Sequence, residues 1–218
     1  MSTNYRNYYK EHYKSKFSKE DIDEWTRWFN AQWQIIKKEI HLKQGMRVLE
    51  IGPGFGGLYH VLQQEGNFDY LGLDLDPDIV KFANKYFKTD VFRFQSIEEL
   101  RETQKFDLVF AFEVLEHLKN PSEVATKISK LLKPGGFFCG TTPYPFKRNI
   151  VSDQTHISVL HPLNWKRIFS DAQFKTVKLK PMTFPPLLWR LSSRLNFRIP
   201  FFLPIKDFVS TCLVIARK

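Results

Sequence analysis

From Val48 to Gly57 the chain reads Val-Leu-Glu-Ile-Gly-Pro-Gly-Phe-Gly-Gly. Glycines placed after an apolar run and before an amphipathic one let the backbone approach a ligand closely at a helix N-terminus. Gly52, Gly54 and Gly57 satisfy the spacing GxGxxG, and Gly52, Gly54 and Gly56 satisfy GxGxG. The acids nearby discriminate between the two. Glu50 stands two residues before Gly52, where a dinucleotide-binding strand carries an apolar residue. A carboxylate there suits a cationic amino-acid moiety better than a pyrophosphate. Asp74 follows Gly52 by 22 residues and ends the next apolar run. A carboxylate in that place accepts hydrogen bonds from ribose hydroxyls. Because Asp76-Pro77-Asp78 comes next, capping of the following helix is the competing role.

The elements that must hold these groups are legible from periodicity. Ser18 and Asp21 form a capping-box pattern, and Ile22, Trp25, Phe29, Trp33, Ile36 and Ile40 recur at helical spacing behind it. Strands are expected at 46–52, 70–76, 91–95, 106–115 and 137–142, and helices at 56–65, 77–87, 97–102 and 121–132. A helix over 162–172 and strands over 174–180 and 208–218 complete the pattern. Strands alternating with helices at this spacing predict βαβ units and a mostly parallel sheet covered on both faces. With an insertion between them, the last two strands can pair antiparallel as a long hairpin.

Taken together, these motifs resemble the class I S-adenosylmethionine-dependent methyltransferases, over residues 45–180 and again at 208–218. VLEIGPGFG resembles the family's first motif, LGLDLD the second, FDLVFAFEVLEHL the strand and turn that floor the cofactor cleft, and LLKPGGFF the turn into the fifth strand. DQTHISVLHPLNWKRIFSDAQF resembles a stretch of small-molecule and quinone-type members. The resemblance implies an α/β, Rossmann-like, doubly wound seven-stranded sheet, mostly parallel with an antiparallel last strand and helices on both faces. It implies S-adenosyl-L-methionine as cofactor. Glu50, Gly52, Gly54 and Gly56 would lie under its methionine part, Asp74 on the ribose, and Leu75 beside the adenine, while Phe112 and Glu113 would face the methionine end. Many members carry an acid after the third strand to receive the adenine amino group. This chain has Gln95-Ser96-Ile97, so Ser96, Ile97 or a backbone carbonyl stands in that place.

Methyl transfer from a sulfonium is an in-line displacement that depends chiefly on orientation, which can supply roughly 7–11 kcal/mol of the barrier. An oxygen or nitrogen acceptor must also lose a proton, and a nearby base adds about two to four orders of magnitude. His12, His41 and His60 lie away from the strand ends and read as surface residues. His117, next to the fourth strand, reads as structural. His156, in the loop after the fifth strand, is the candidate base; hydrogen bonding to a backbone carbonyl is its alternative role. Tyr144 either orients a substrate or packs between Pro143 and Pro145. No metal-ligand spacing is present.

The 218 residues suit a single domain. It divides into an N-terminal helical cap (1–44), a core (45–182), an insertion (183–206) and a final strand (207–218). Cys139 and Cys212 sit in apolar runs and read as buried reduced thiols, as in a cytoplasmic protein. The start lacks the apolar core of a signal peptide, and no stretch is long enough for a transmembrane helix. The net charge of +10 equals that of residues 141–218, with 13 Lys/Arg against 3 Asp/Glu. Such a lobe attracts phosphates, carboxylates, acidic lipid or nucleic acid, or simply keeps the surface soluble. Within the insertion, Arg190, Arg194 and Arg198 repeat every four residues beside Leu187, Leu188, Leu191 and Leu195. A helix of this kind is either a membrane-surface element or lid over a lipid-linked acceptor, or a sheet-edge packing element. The tyrosines at 5, 8, 9 and 13 could stack on nucleic acid or cover the cofactor.

The expected activity is methyl transfer to an oxygen, nitrogen or carbon of a small acceptor. An RNA or DNA methyltransferase is the second possibility, although Glu113-Val114-Leu115-Glu116 lacks the aromatic used to stack a flipped base. A non-catalytic cofactor-binding partner subunit is the third.

Overall fold

The computed structural model describes residues 18–151, 153–185, 199–205 and 208–218. Helix α1 (Lys19–Ile36) opens on the expected capping box, in which the Ser18 N–H donates to the Asp21 carboxylate at 2.7 Å and the Asp21 N–H to Ser18 Oγ at 3.3 Å. It buries Ile22, Trp28, Phe29, Trp33 and Ile36, and Ile40 is buried just beyond its end. Then follow β1 (Arg47–Ile51), α2 (Gly57–Glu65), β2 (Asp69–Asp74), α3 (Pro77–Phe87), β3 (Phe92–Phe94), β4 (Phe106–Phe112), α4 (Pro121–Leu131) and β5 (Leu132–Pro143). A short α5 (Lys147–Val151), α6 (Pro162–Asp171), β6 (Thr176–Phe184) and β7 (Val209–Arg217) complete the order.

The seven strands form one sheet in the order β3-β2-β1-β4-β5-β7-β6. β7 runs antiparallel to both of its neighbours, and every other pairing is parallel. The period of two along β4 shows why both faces are covered. Leu108, Phe110 and Phe112 point into a core made with α1 and α2, while Val109 and Ala111 point into one made with α4 and α6, which Phe106 joins from beyond a register shift. The doubly wound sheet with an antiparallel last strand is therefore the architecture the sequence motifs imply.

Three local differences matter. Residues 97–102 form turns instead of a helix, with the Leu100 N–H bonded to the Ile97 carbonyl in a tight turn that is not continued. β5 begins at Leu132, five residues earlier than expected, and absorbs Lys-Pro-Gly-Gly through a register shift against β4. β6 runs on to Phe184, so Thr183 lies inside the sheet, paired with Ile199 and with Ser210. The returning segment is anchored there: the Arg148 guanidinium donates to the Ile205 and Phe208 carbonyls, and Tyr144 stacks on Phe202 at 4.0 Å between centroids. The expected arginine helix and the tyrosine-rich start lie outside the described residues. Cys139 and Cys212 are buried free thiols, both pushed well up by burial, Cys212 to about 12. No helix among the described residues is long and apolar enough to cross a membrane.

Candidate functional site

The glycine loop leaves β1 in left-handed backbone, with φ of 67° at Gly52, 52° at Gly54 and 76° at Gly56. These are conformations that glycine adopts at no steric cost. A Cβ on Gly52 would sit 2.5 Å from Val114 Cγ2, so the loop lies directly against the turn that follows β4. Asp74, at the end of β2, accepts from the Gly54 N–H at 3.1 Å and the Asp76 N–H at 3.0 Å. Capping of α3 falls to Asp76, whose Oδ1 accepts from Asp78 and Ile79. The competition between the two acids is thereby settled: Asp76 caps, and Asp74 faces the cavity. Burial, partly offset by those backbone bonds, pushes the Asp74 carboxyl up to about 6.

A cavity of about 360 Å³ runs along the carboxyl ends of the strands, the usual ligand position in an open α/β sheet. Of the residues singled out from sequence, Gly52, Gly54, Asp74, Leu75, Ser96, Ile97, Phe112, Glu113 and His156 line it. Gly56 does not; it is the N-cap of α2, packed against Phe87 and Phe92. Glu50 is not in the lining either. It shares the pleat face of Val48, is fully buried, and accepts a hydrogen bond from the Tyr70 hydroxyl. Desolvation pushes the Glu50 carboxyl up to about 8 and, with Glu50 itself as the second cause, raises the Tyr70 phenol well above its ordinary value. Tyr144 packs on Phe202, outside the lining. Among the other histidines, His41 is exposed, His60 is half-buried, and His161 caps α6 through Nδ1.

The opposite end of the cavity is acidic and imidazole-rich. Glu113 holds φ at 53°, and its N–H donates to the Thr141 carbonyl at 3.1 Å. The Thr211 hydroxyl lies 3.1 Å from Glu113 Oε1 and 2.8 Å from the Thr142 carbonyl. Glu116 is buried, and its Oε2 has no hydrogen-bond partner among the described residues. Burial and the neighbouring Glu113 raise the Glu116 carboxyl well above the usual range; burial also raises Glu113, opposed by its threonine partners. The loop after β5 is zipped onto the turn after β4, with the Ser158 N–H on the Glu116 carbonyl at 2.8 Å and Ser158 Oγ on the Leu118 carbonyl at 2.6 Å. This brings His156 to His117, their ring centroids 5.0 Å apart. Burial lowers the His117 imidazole.

Sequence reasoning did not assemble several of these groups. Trp25 and Phe29 of α1, and Glu116 and His117 of the turn, also line the cavity. Glu-x-x-Glu-His directly after an apolar strand was the available signal for the last two, but no spacing joins them to His156. Glu116, His117 and His156 each offer a donor atom within 4.8 Å of the others, so a divalent cation could be held there although no sequence spacing suggested one. The cavity fits a nucleoside that carries a cation. It has a carboxylate with spare lone pairs beside apolar Leu75 and Ile97 at one end, and buried acids, one oxygen without a partner among the described residues, at the other.

Comparison with known proteins agrees with this geometry. A sequence profile described as a methyltransferase domain matches residues 17–179. The ubiquinone biosynthesis O-methyltransferase of Xanthomonas oryzae pv. oryzae is 30% identical over 71% of this chain and 72% of its own length. A mitochondrial ubiquinone biosynthesis O-methyltransferase from Dictyostelium discoideum is 26% identical over 75% of this chain and 61% of its own. Among solved structures, a SAM-dependent methyltransferase from Archaeoglobus fulgidus superposes with a TM-score of 0.69 at 18% identity, covering 99% of this chain and 100% of its own. A Haemonchus contortus phosphoethanolamine N-methyltransferase complexed with S-adenosylhomocysteine superposes at 0.70 and 17% identity, over 99% of this chain and 60% of its own. This chain therefore belongs to the methyltransferase-domain family, the class I S-adenosylmethionine-dependent methyltransferases.

Proposed function

We propose that the enzyme methylates an oxygen of a small hydroxylated acceptor that carries an apolar tail. The observation that carries this reading is the pairing of two imidazoles with buried acids at the end of the cavity opposite Asp74. An oxygen nucleophile has to give up a proton, and a neutral histidine held near it is suited to receive one. The relatives named for O-methylation in ubiquinone biosynthesis support the same acceptor chemistry. So do the exposed Ile150, Val151, Ile157, Phe201 and Ile205 on the segments around the returning insertion, which suit a lipid-linked acceptor or contact with a membrane surface.

S-adenosylmethionine supplies a methyl group already activated on a sulfonium. In this reading Asp74 accepts from the ribose hydroxyls, Leu75 and Ile97 flank the adenine with Ser96 at its edge, and the backbone at Gly52 and Gly54 passes under the methionine part. Phe112 and Glu113 bound the methionine end. Glu50 acts from beneath the loop, through Tyr70 and the electrostatics of the strand end, without direct contact. His156 takes the acceptor's proton at Nε2, because its Nδ1 is 2.7 Å from the Asn149 carbonyl and must carry a hydrogen. Trp25 and Phe29 close the cavity against water.

Isotope-labelled methyl transfer to hydroxylated benzoquinols, with and without a prenyl tail, tests the acceptor; transfer is expected to both and to be faster with the tail. Calorimetry on Asp74→Ala should show S-adenosylmethionine affinity lower by roughly 10–100-fold, the worth of a hydrogen bond to a charged group. Tight cofactor binding with no transfer to any hydroxylated acceptor would overturn the O-methylation reading.

A further inference from the structure

Aromatic rings gather where the glycine loop meets the end of β4, and no lysine or arginine lines the cavity among the described residues. Helix α1 brings two of the rings. A Cβ on Gly57 would meet Phe29 Cδ2 at 2.5 Å and the Trp25 carbonyl carbon at 3.1 Å, so α1 lies directly on the glycine loop where α2 begins. The third ring comes from the sheet. Phe112 is the last residue of β4, and it meets Phe29 edge to face with centroids 5.4 Å apart. Trp25 continues the row, its ring 6.0 Å from that of Phe29. Phe29 and Phe112 are buried, and all three residues line the cavity.

A sulfonium differs from a protonated amine in having no hydrogen to donate, so hydroxyls and carbonyls cannot hydrogen-bond to its charge. Ring faces suit such a cation. Their negative π clouds attract it, as they attract quaternary ammonium groups, and no buried counter-charge has to be stripped of water to do so. We propose that Phe29, Phe112 and Trp25 form an aromatic wall that recognises the sulfonium charge of S-adenosylmethionine, so that the site holds this cofactor more tightly than S-adenosylhomocysteine. The two ligands share the nucleoside and the amino-acid part, but the sulfur of the second is a neutral thioether. A wall that reads the charge therefore favours exchange of the spent cofactor for a fresh one. This role rests on the cofactor lying as proposed, with its ribose on Asp74 and its methionine part over Gly52 and Gly54.

Calorimetric titration of the full-length protein with each ligand in turn measures the preference as a ratio of dissociation constants, with no acceptor present. Phe29→Leu keeps an apolar side chain but removes the π face. It should weaken S-adenosylmethionine about 2–30-fold, the range of a ring–cation contact, and leave S-adenosylhomocysteine nearly unchanged. Mono-, di- and trifluorophenylalanine placed at position 29 keep the shape of the ring while progressively weakening its negative face, so the test holds even where the leucine variant does not fold. Affinity for S-adenosylmethionine should fall stepwise along this series, and affinity for S-adenosylhomocysteine should not. An equal loss of both ligands in Phe29→Leu, or a fluorinated series without a trend, would overturn the proposal and leave the rings as packing alone. A preference that fluorination leaves in place and Glu113→Gln abolishes would also overturn it, assigning the charge recognition to a carboxylate. If the fluorinated series shows the trend while Asp74→Ala leaves both affinities unchanged, the aromatic recognition stands and the placement of the ribose on Asp74 fails.

Discussion

Glu50 and Tyr70 form a closed pair on the face of the sheet turned toward α1 and α2, with Gly72 beside Glu50 in register across the strands. A Cβ at Gly72 would lie 3.1 Å from the Tyr70 hydroxyl, so the glycine makes room for the pair. The folded-state Glu50 value near 8 lies above its ordinary 4.5. Between those values the unfolded chain releases its proton while the folded chain keeps it, so this group costs stability increasingly as pH rises through the window. Glu50→Gln should therefore be more stable than wild type without cofactor. The gain should be small at pH 5 and on the order of 2–4 kcal/mol at pH 8, read from denaturant unfolding at both values; a gain independent of pH would show that the carboxyl is ionised throughout. From sequence, Glu50 and Asp74 were two similar acids beside one loop. Depth along the sheet separates them: Glu50 lies inside β1 opposite Gly72, whereas Asp74 is the last residue of β2 and reaches the cavity.

The unit that positions the chemistry is a pair of strand-end turns in contact, the glycine loop after β1 and the Glu113–Leu118 turn after β4. Gly52 is where they meet. Gly52→Ala would place a methyl group against Val114 and force a left-handed backbone on alanine. A loss of about 1–3 kcal/mol in stability is expected, together with weaker cofactor binding. Adding Val114→Ala should recover the part due to the clash but not the part due to the backbone, which thermal unfolding of the single and double variants separates. At this scale most elements were legible, because capping at Ser18, Pro at the first turn of α3 and α4, and the apolar runs are local signals. The turns at 97–102 and the early start of β5 were not. The first is too short for periodicity to decide, and the second depends on pairing with β4 and β7.

Across the whole molecule, positive charge gathers in the last third of the chain while the cavity is walled by Asp74, Glu113 and Glu116. An acid-lined cavity favours a cationic cofactor and disfavours a phosphodiester near the reacting atoms, whereas the basic exterior attracts polyanions without selectivity. Retention on immobilised tRNA is accordingly expected at 50 mM salt and lost by 200 mM, the steep dependence that counterion release produces. No methyl label should enter the tRNA. Label incorporation at the higher salt would instead favour a nucleic-acid substrate.

The order of strands and helices, the glycine loop, Asp74 and the family itself followed from local residue patterns, because each motif is short and its physical purpose is set by adjacent residues. The tertiary structure alone decided that Glu50 lies beneath the loop and not in the cavity. It also decided that Trp25 and Phe29 form a wall, and that His117 and His156, 39 positions apart, share one site because the loop after β5 is zipped onto the turn after β4. Those relations come from packing two strand-end loops against each other, and no periodicity along the chain encodes a contact made across the sheet.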